Sequence, residues 1–332
     1  MPKRLQRCAF MGAILSCCFA GSIHASDSAG DRYIGLAFEN DLFAHVDDYY
    51  SNGIRLTYLS AKNDVWHWLR KTASLMPMID ADADMRMEHA LGQEIYTPHD
   101  LSAAPPDPND RPYAGWLYYS LGVTAEQEKV LDQLQLTVGI VGSDAHADAV
   151  QRTAHHLFGG EVPKGWDYQL KNEPGINAGY FRTWRRAFEA RTDGYEFDVS
   201  PYLGGMIGNV STYAAGGVTA RFGRNLPLDY GLPRVQPSMP GAFYFKPETG
   251  LHWYLFGSVA GRLVARNIFL EGNTFERGPG VDPRPYVVDV SLGVVVAWSR
   301  WRVAYTHILR TQEFNEQNGE TRFGALSVSY RW

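Results

Sequence analysis

Residues Phe323 to Trp332 read Phe-Gly-Ala-Leu-Ser-Val-Ser-Tyr-Arg-Trp, and this stretch indicates the fold class. In a β-strand the side chains alternate between two faces, so one face here carries Leu326, Val328, Tyr330 and Trp332. A strand with one continuous apolar face and an aromatic last residue is typical of outer-membrane β-barrels. The edge strand of a soluble β-sandwich is the alternative interpretation of this stretch alone.

Residues 1–25 have the composition of an export signal. The segment begins with its three basic residues, Lys3, Arg4 and Arg7. An apolar stretch from Ala9 to Ile23 follows, and Ala25 is a small residue suited to signal-peptidase cleavage. A lipoprotein signal ending at Cys17 is the alternative, although its apolar core would be very short. We therefore expect a signal peptide over residues 1–25 and one outer-membrane β-barrel over residues 26–332.

The composition excludes several other classes of protein. All three cysteines, Cys8, Cys17 and Cys18, lie in the predicted signal, so the remaining chain forms no disulfide. Beyond the signal there is no apolar run of about eighteen residues, so any membrane span must be a strand. The 19 Tyr and 9 Trp suffice for the two aromatic girdles of a barrel. Loss of the signal changes the formal net charge from −5 to −8, which argues against a nucleic-acid partner and suits divalent cations.

Segments of alternating or β-rich sequence recur along the chain at about the length of a membrane-spanning strand. We place twelve, at 32–40, 50–60, 87–97, 112–124, 130–142, 174–188, 194–207, 210–222, 251–269, 284–298, 300–310 and 320–332. The predicted fold is therefore an all-β, twelve-stranded antiparallel transmembrane β-barrel. An even count puts both ends in the periplasm and every odd-to-even connection outside the cell. If segment 251–269 were two strands, this assignment of sides would fail after it.

Three connections have a distinct composition. Segment 61–86 includes Trp66 and Trp68 and predicts a short amphipathic helix on the periplasmic side. Segment 223–250 is rich in Pro and Gly, and we expect an ordered periplasmic loop there. Segment 143–173, in an extracellular loop by the strand count, predicts a short helix over residues 144–158 that ends at Gly159-Gly160.

The extracellular helix carries an apolar stripe that we expect to pack against the barrel wall: Ala147, Val150, Ala154, Leu157 and Phe158. Gln151 and His155 are four residues apart and lie together on the border of this stripe. A half-buried imidazole at such a border is suited to act as a general base. A histidine that makes one capping or packing hydrogen bond is the simpler interpretation.

Oxygen-bearing side chains are concentrated where the first strand ends and the second begins. They are Glu39, Asn40, Asp41, Asp47, Asp48, Tyr50, Ser51 and Asn52. Carboxylate, amide and hydroxyl oxygens are the ligands that calcium prefers. The spacing matches no EF-hand loop, so a solvated hairpin tip is the alternative.

Arg111 ends the second extracellular connection, over residues 98–111. It could bind a phosphate or a carboxylate bidentately, or it could pair with Asp110 and brace the loop. By the strand count, all three loops lie on one rim of the barrel, and this rim therefore carries Asn40, Asp41, Ser51, Arg111 and His155.

Four motifs and one helix segment together resemble a known family, the outer-membrane lipid A 3′-O-deacylases. The motifs are Glu39-Asn40-Asp41-Leu42-Phe43, Tyr50-Ser51-Asn52-Gly53-Ile54-Arg55-Leu56, Gln93-Glu94-Ile95-Tyr96-Thr97-Pro98 and Asp110-Arg111-Pro112-Tyr113-Ala114-Gly115, and the helix segment is Gln151-Arg152-Thr153-Ala154-His155. The resemblance spans essentially the whole chain after the signal. It implies an active site at the outer-leaflet side, between the barrel wall and the extracellular helix. It also implies calcium dependence and release of the 3′-acyloxyacyl group of lipid A.

The resemblance further implies residue roles. His155 would activate water, Gln151 and Asn40 would be catalytic with it, and the metal site would include Asp41, Ser51 and Glu161. Ser51 stands where the family commonly has threonine, which keeps the hydroxyl. A basic pair that some members use on lipid A phosphate has no clear counterpart between residues 101 and 109. Arg111 is the residue that we expect to bind the substrate.

The expected function is therefore calcium-dependent hydrolysis of lipid A by histidine-activated water. The expected partners are lipopolysaccharide and the outer membrane of a Gram-negative bacterium, with the protein acting as a monomer. An outer-membrane phospholipase with a serine nucleophile is one alternative, for which Ser51 is the only loop serine we nominate. A non-catalytic small barrel is the other, and a twelve-stranded barrel has a narrow interior that side chains can largely fill.

Overall fold

The computed structural model describes residues 30–41, 50–158, 162–235, 238–246 and 250–332. The backbone alone is described at six of these positions: Tyr50, Ser51, Ala154, His155, Leu157 and Phe158. The predicted signal peptide lies outside the described residues, so its assignment stays a prediction.

One antiparallel sheet closes on itself to form the barrel. Within the described residues its strand segments are β1 (Tyr33–Asn40), β2 (Tyr50–Leu59), β3 (Asp84–Tyr96), β4 (Ala114–Gln127), β5 (Val130–Val141), β6 (Glu173–Trp184), β7 (Phe188–Thr192), β8 (Tyr195–Gly208), β9 (Ser211–Arg224), β10 (Leu251–Asn267), β11 (Tyr286–Trp298), β12 (Trp301–Arg310) and β13 (Thr321–Arg331). β1 pairs with β2 and with β13, and β6 pairs with β8, which closes the ring. β7 pairs only with β8 and extends the line of β6 beyond an interruption. The wall therefore has twelve strands, as predicted, and β10 is a single strand.

The side chains of the wall alternate between the interior and the membrane. In β13, Phe323 and Ala325 are buried inside, whereas Leu326, Val328 and Tyr330 are on the more exposed outer face. The same outer face around the ring presents large apolar side chains, among them Leu36, Leu91, Leu136, Leu255 and Leu292. This belt confirms the prediction made from the last strand. In a β-sandwich the apolar rows would be buried against a second sheet and the exposed rows would be polar.

Residues 225–246 enter the barrel, and we call this segment the plug; residues 236–237 within it lie outside the described residues. The ring of Phe243 lies against Gly35 of β1, where a Cβ atom would be 2.0 Å from the ring. The backbone N–H of Val235 donates to the Glu39 carboxylate over 2.9 Å. The expectation of a periplasmic loop was therefore wrong in position. The segment buries its aromatic residues in the lumen, which a loop in water could not do.

Buried ion pairs join the plug to the wall. Asp229 accepts hydrogen bonds from Arg221 over 2.6 Å, from Arg302 over 3.2 Å and from the hydroxyl of Tyr254. Arg234 pairs with Asp289 at 3.3 Å. Charges in such a closed interior need partners, and here the plug and the wall supply them to each other. Two small cavities of about 70 and 100 Å³ lie beside the plug.

Three α-helices are described: α1 (His67–Ala73), α2 (Ala147–Phe158) and α3 (Ile268–Glu271). α1 lies in the connection between β2 and β3, and α2 lies between β5 and β6, as predicted. In the described part of the chain, none of these helices has the length and apolar composition of a membrane span. β1 begins and β13 ends at one edge of the barrel, at Tyr33 and Arg331. α2 lies at the opposite edge.

Candidate functional site at the extracellular rim

The strand order brings the predicted site segments to one rim. β1 ends at Asn40, β2 begins at Tyr50, and the connections 97–113 and 142–172 leave from the same edge. In bacterial barrels this edge, opposite the strand ends near the termini, faces the cell exterior. The predicted grouping is thus confirmed for the backbone.

α2 lies against the outer face of the wall. A 3-10 turn over Ser143–Ala145 precedes it and contacts β4 and β5, whereas α2 itself contacts β3 and β4. The side-chain amide of Gln93, on the outer face of β3, donates to the carbonyl of Ala145 over 2.6 Å. A Cβ atom on Gly115 would be 2.5 Å from the Cβ of Ala147, so the absence of a side chain on β4 lets the helix seat there.

The direction of α2 follows from these contacts. Because the 3-10 turn before α2 contacts β4 and β5, and α2 itself contacts β3 and β4, the helix crosses the wall towards β1. Gly115 opposes Ile95, Ile95 opposes Asn52, and Asn52 opposes Asn40. Asn40 is therefore three strand spacings, or about 14 Å, from Gly115. At about 1.5 Å per residue, His155 is about 12 Å along the helix from Ala147, so the two lengths match.

Gln151 lies on the buried face of α2, with 2% of its surface exposed. Its Oε1 accepts a hydrogen bond from Nε1 of Trp166 over 2.8 Å, whereas its Nε2 is buried and has no hydrogen-bond partner among the described residues. A buried amide donor without a partner is costly in a folded protein, and it is a common feature of a site that receives a ligand or water. His155 follows one helical turn later, and its side chain lies outside the described part of the structure.

Asn40 ends β1 in its outward-facing row, and Asp41 follows directly after the strand. Along β1 the outward row of Ile34 and Leu36 is exposed, but Asn40 retains 9% exposure and Asp41 1%. These two side chains supply amide and carboxylate oxygens, which fits calcium in donor chemistry. In the described residues, no three His, Cys, Asp or Glu side chains come together as a metal cluster. Glu161 and the side chain of Ser51, the other predicted metal ligands, lie outside the described part.

Arg111 lies on the inner side of the rim and is 1% exposed. Its guanidinium pairs with Glu313 at 3.2 Å and lies 5.2 Å from the ring centre of Tyr96. The Asp110 carboxylate accepts from the backbone N–H groups of Arg111 and His99. Burial raises the pKa of the Asp110 carboxyl, against the lowering effect of those two hydrogen bonds. Arg111 therefore braces the rim from inside, and the wall separates it from the face on which Gln151 lies.

Sequence reasoning missed two contacts of this site and misplaced one residue. Trp166 and Gln93 had no assigned role, because a single hydrogen bond across the loop or to the wall leaves no periodic signal. Val150, expected on the packed stripe of α2, is instead 39% exposed. Among the described side chains of α2, Ala147 and Gln151 are the buried ones, so its packed face does not include Val150.

The fold and the belt of apolar side chains define the class of protein: a β-barrel of the bacterial outer membrane. The family model described as "Outer membrane protein LpxR" matches residues 10–332. The chain therefore belongs to the LpxR family, which confirms the resemblance stated from its motifs.

Comparison of structures gives the same result for the fold. LpxR from Salmonella typhimurium superposes with a TM-score of 0.71 at 20% identity, over 90% of this chain and 99% of that one. The β domain of the Bordetella autotransporter BrkA has a TM-score of 0.41 at 10% identity, over 91% of this chain and 98% of that chain. The KdgM porin has a TM-score of 0.36 at 6% identity, over 90% and 98%. Among curated protein sequences, none matches this chain.

Proposed function

We propose that this protein is a lipid A deacylase that releases the 3′-acyloxyacyl group by ester hydrolysis in the outer leaflet. The observation that carries the proposal is the seam between α2 and the outer wall, where Gln151 is buried with an unpartnered amide donor. This seam lies outside the barrel at the extracellular rim. A lipid in the outer leaflet can reach a site between α2 and the outer wall without leaving the membrane. A soluble substrate would not require a site on the membrane-facing side.

In this proposal His155 takes the proton from the attacking water. The unpartnered Nε2 of Gln151 is available to hold that water or the ester oxygen, because its Oε1 is already fixed by Trp166. Asn40 lies in register with Gly115, at the height of the wall where α2 begins, and would position the reacting groups. Arg111 would act on the substrate only indirectly, by holding the rim.

A calcium ion would be held by Asp41, with Ser51 and Glu161, and when bound it would supply positive charge to stabilise the developing oxyanion. The base must be neutral to accept a proton. Activity is therefore expected to fall as the pH drops through the range in which imidazole becomes protonated.

The test is to incubate the purified protein with lipopolysaccharide and to measure lipid A by mass spectrometry. Loss of the 3′-acyloxyacyl mass is expected for the parent protein, and it is expected to stop with a chelator and with His155→Ala. His156→Ala is the matched control, because that neighbouring imidazole is exposed on the same helix. Continued release of the 3′ chains by His155→Ala would defeat the proposed base.

The same assays distinguish the alternatives. A serine phospholipase would release fatty acids from phospholipid vesicles, and a fluorophosphonate probe would label Ser51. A non-catalytic pore would leave lipid A intact and conduct ions in planar bilayers. The plug argues against a pore, since Phe243, Asp229 and Arg234 occupy the lumen.

A further inference from the structure

Residues 61–83, which connect β2 to β3 and include α1, lie against the outside of the barrel wall; we call them the collar. Three of their buried residues, Ala73, Ile79 and Ala83, belong to one apolar cluster. These pack on apolar side chains near the periplasmic ends of β3 and β4: Met85, Val123 and Ala125. The partly buried Leu134 and Tyr180 extend the contact to β5 and β6. The collar therefore covers four neighbouring strands at their lower ends.

The collar also covers a charged pair on the outer wall. Arg182 and Asp132 form two hydrogen bonds of 2.7 Å, and the hydroxyl of Tyr180 donates to Asp132 over 2.6 Å. The same arginine donates to the backbone carbonyl of Met78 in the collar. A charged side chain on the membrane face of a barrel is costly at hydrocarbon depth. The collar removes this cost by enclosing the pair.

Above the collar, the apolar part of the wall that faces lipid directly is shorter than the apolar band of an outer-membrane barrel. On β5 the outward row from Leu136 to Ile140 measures about 13 Å along the strand, or about 10 Å along the membrane normal at a tilt of roughly 40°. On β10, across the barrel, the row from Leu251 to Leu263 measures about 40 Å along the strand and about 30 Å along the normal. The apolar band of an outer-membrane barrel is about 25 Å tall. On the β3–β6 side, the collar must therefore occupy part of the membrane's depth.

The outer surface of the collar carries large apolar side chains beside charged ones such as Lys71 and Asp80. Four of its large side chains are exposed: Trp66 by 46%, Trp68 by 55%, Leu75 by 75% and Met78 by 50%. The rings of Trp66 and Trp68 stack at 5.9 Å, and Trp66 also contacts the ring of His89 on β3 at 5.3 Å. Tryptophan is enriched where a membrane meets water. The contact with His89 places the two tryptophans next to the outer face of β3.

We propose that the collar binds the phospholipids of the inner leaflet, and that its four exposed apolar side chains contact lipid rather than water. The collar replaces the lower part of the lipid-facing wall over β3 to β6. This inference is independent of the proposed function, because it concerns the periplasmic half of the barrel.

Spin labels test the proposal directly. In a chain whose Cys8, Cys17 and Cys18 are replaced by alanine, Leu75→Cys would carry a nitroxide in vesicles of phosphatidylethanolamine and phosphatidylglycerol. Leu91→Cys is the lipid reference, because Leu91 lies on the bare wall, and Thr192→Cys in the exposed β7 is the water reference. The label at residue 75 is expected to collide with oxygen more than with a nickel chelate, as at residue 91. Accessibility to nickel like that at residue 192 would overturn the proposal, and so would protection from both reagents, which would indicate a protein partner or a second copy.

Quenching by brominated phospholipids provides a second measurement on variants with conservative changes. In the double variant Trp66→Phe and Trp68→Phe, brominated lipid is expected to quench a smaller fraction of the tryptophan fluorescence than in the parent protein. Trp116→Phe is the matched control, since Trp116 is buried inside the barrel. An undiminished quenched fraction in the double variant would contradict lipid contact at the collar.

Discussion

Gly115 on β4 and Ala147 at the start of α2 approach so closely that a Cβ on the glycine would be 2.5 Å from that of the alanine. The glycine is therefore the point on which the extracellular helix is seated. Trp116, the next residue of β4, faces the lumen, so Gly115 faces outward and the contact lies on the outside of the wall.

Gly115→Ala is expected to displace α2 from the wall while the barrel still forms. A shift of about 1 Å at a reacting centre can lower the rate by about 10²-fold, and we expect a loss of that order in lipid A deacylation. Mass spectrometry of lipid A measures the rate, and heat-modifiable migration on gels checks the barrel. Gly261→Ala is the control, because an added Cβ there meets open space. Equal rates for both variants would contradict the seating argument.

Trp166→Phe removes the hydrogen bond that fixes Oε1 of Gln151. A buried hydrogen bond contributes about 1 kcal/mol, so we expect activity to fall about fivefold through the loss of orientation. The decrease should appear in kcat more than in KM, because the glutamine would still be present. Trp253→Phe, on β10 at the other end of the barrel, should leave both constants unchanged. A change in stability without any change in kcat would assign Trp166 a purely structural role.

Asp229→Asn removes the charge by which the plug pairs with Arg221 and Arg302. Arg302 then loses its carboxylate partner, whereas Arg221 keeps Asp198 at 2.6 Å. Breaking a buried ion pair costs about 3–5 kcal/mol. Unfolding by urea in detergent micelles is expected to show this loss as a lower midpoint. Glu320→Gln, which removes an exposed pair with Arg322, should not move the midpoint. If both variants unfolded alike, the plug would not be held by these charges.

Glu313 gives a pH-dependent prediction. Burial raises the pKa of its carboxyl, but the nearby Arg310 and Arg111 lower it more, so the pKa is below that of an ordinary glutamate. Because the folded-state pKa is depressed, the carboxylate stabilises the protein above the unfolded-state pKa of about 4.3, and this stabilisation disappears as the pH falls through the folded-state value. Glu313→Gln should therefore unfold more easily than the parent at pH 7, and the two should converge in acid. Glu316→Gln, exposed in the same connection, should match the parent at every pH.

The wall of the barrel was predictable from the sequence for a simple physical reason. Lipid outside and a packed lumen inside impose a period of two on every strand, so alternation such as that of Leu326, Val328 and Tyr330 locates strands without any tertiary information. Counting strands then brought Asn40, Gln151 and His155 to one rim. The interruption between β6 and β7 did not affect the count, because both segments follow one line along β8.

The position of the plug was not predictable in the same way. Segment 223–250 has no periodicity, and its contacts join residues far apart in the chain, such as Val235 and Glu39, which are 196 positions apart. The charges that hold it, Asp229 and Arg234, look like ordinary polar residues of a loop. Arg111 was similarly ambiguous, because only the folded chain shows that Glu313 faces it.

Local alternation and chain order were enough to predict the number of strands, the side of the membrane reached by each connection and the residue types available at the rim. Only the folded chain shows which face of α2 is buried, that the Gln151 amide has no partner among the described residues, that the plug enters the lumen and that the collar lies on the outer wall. Those features depend on close packing and on charge pairing between distant segments, and neither leaves a repeat along the chain.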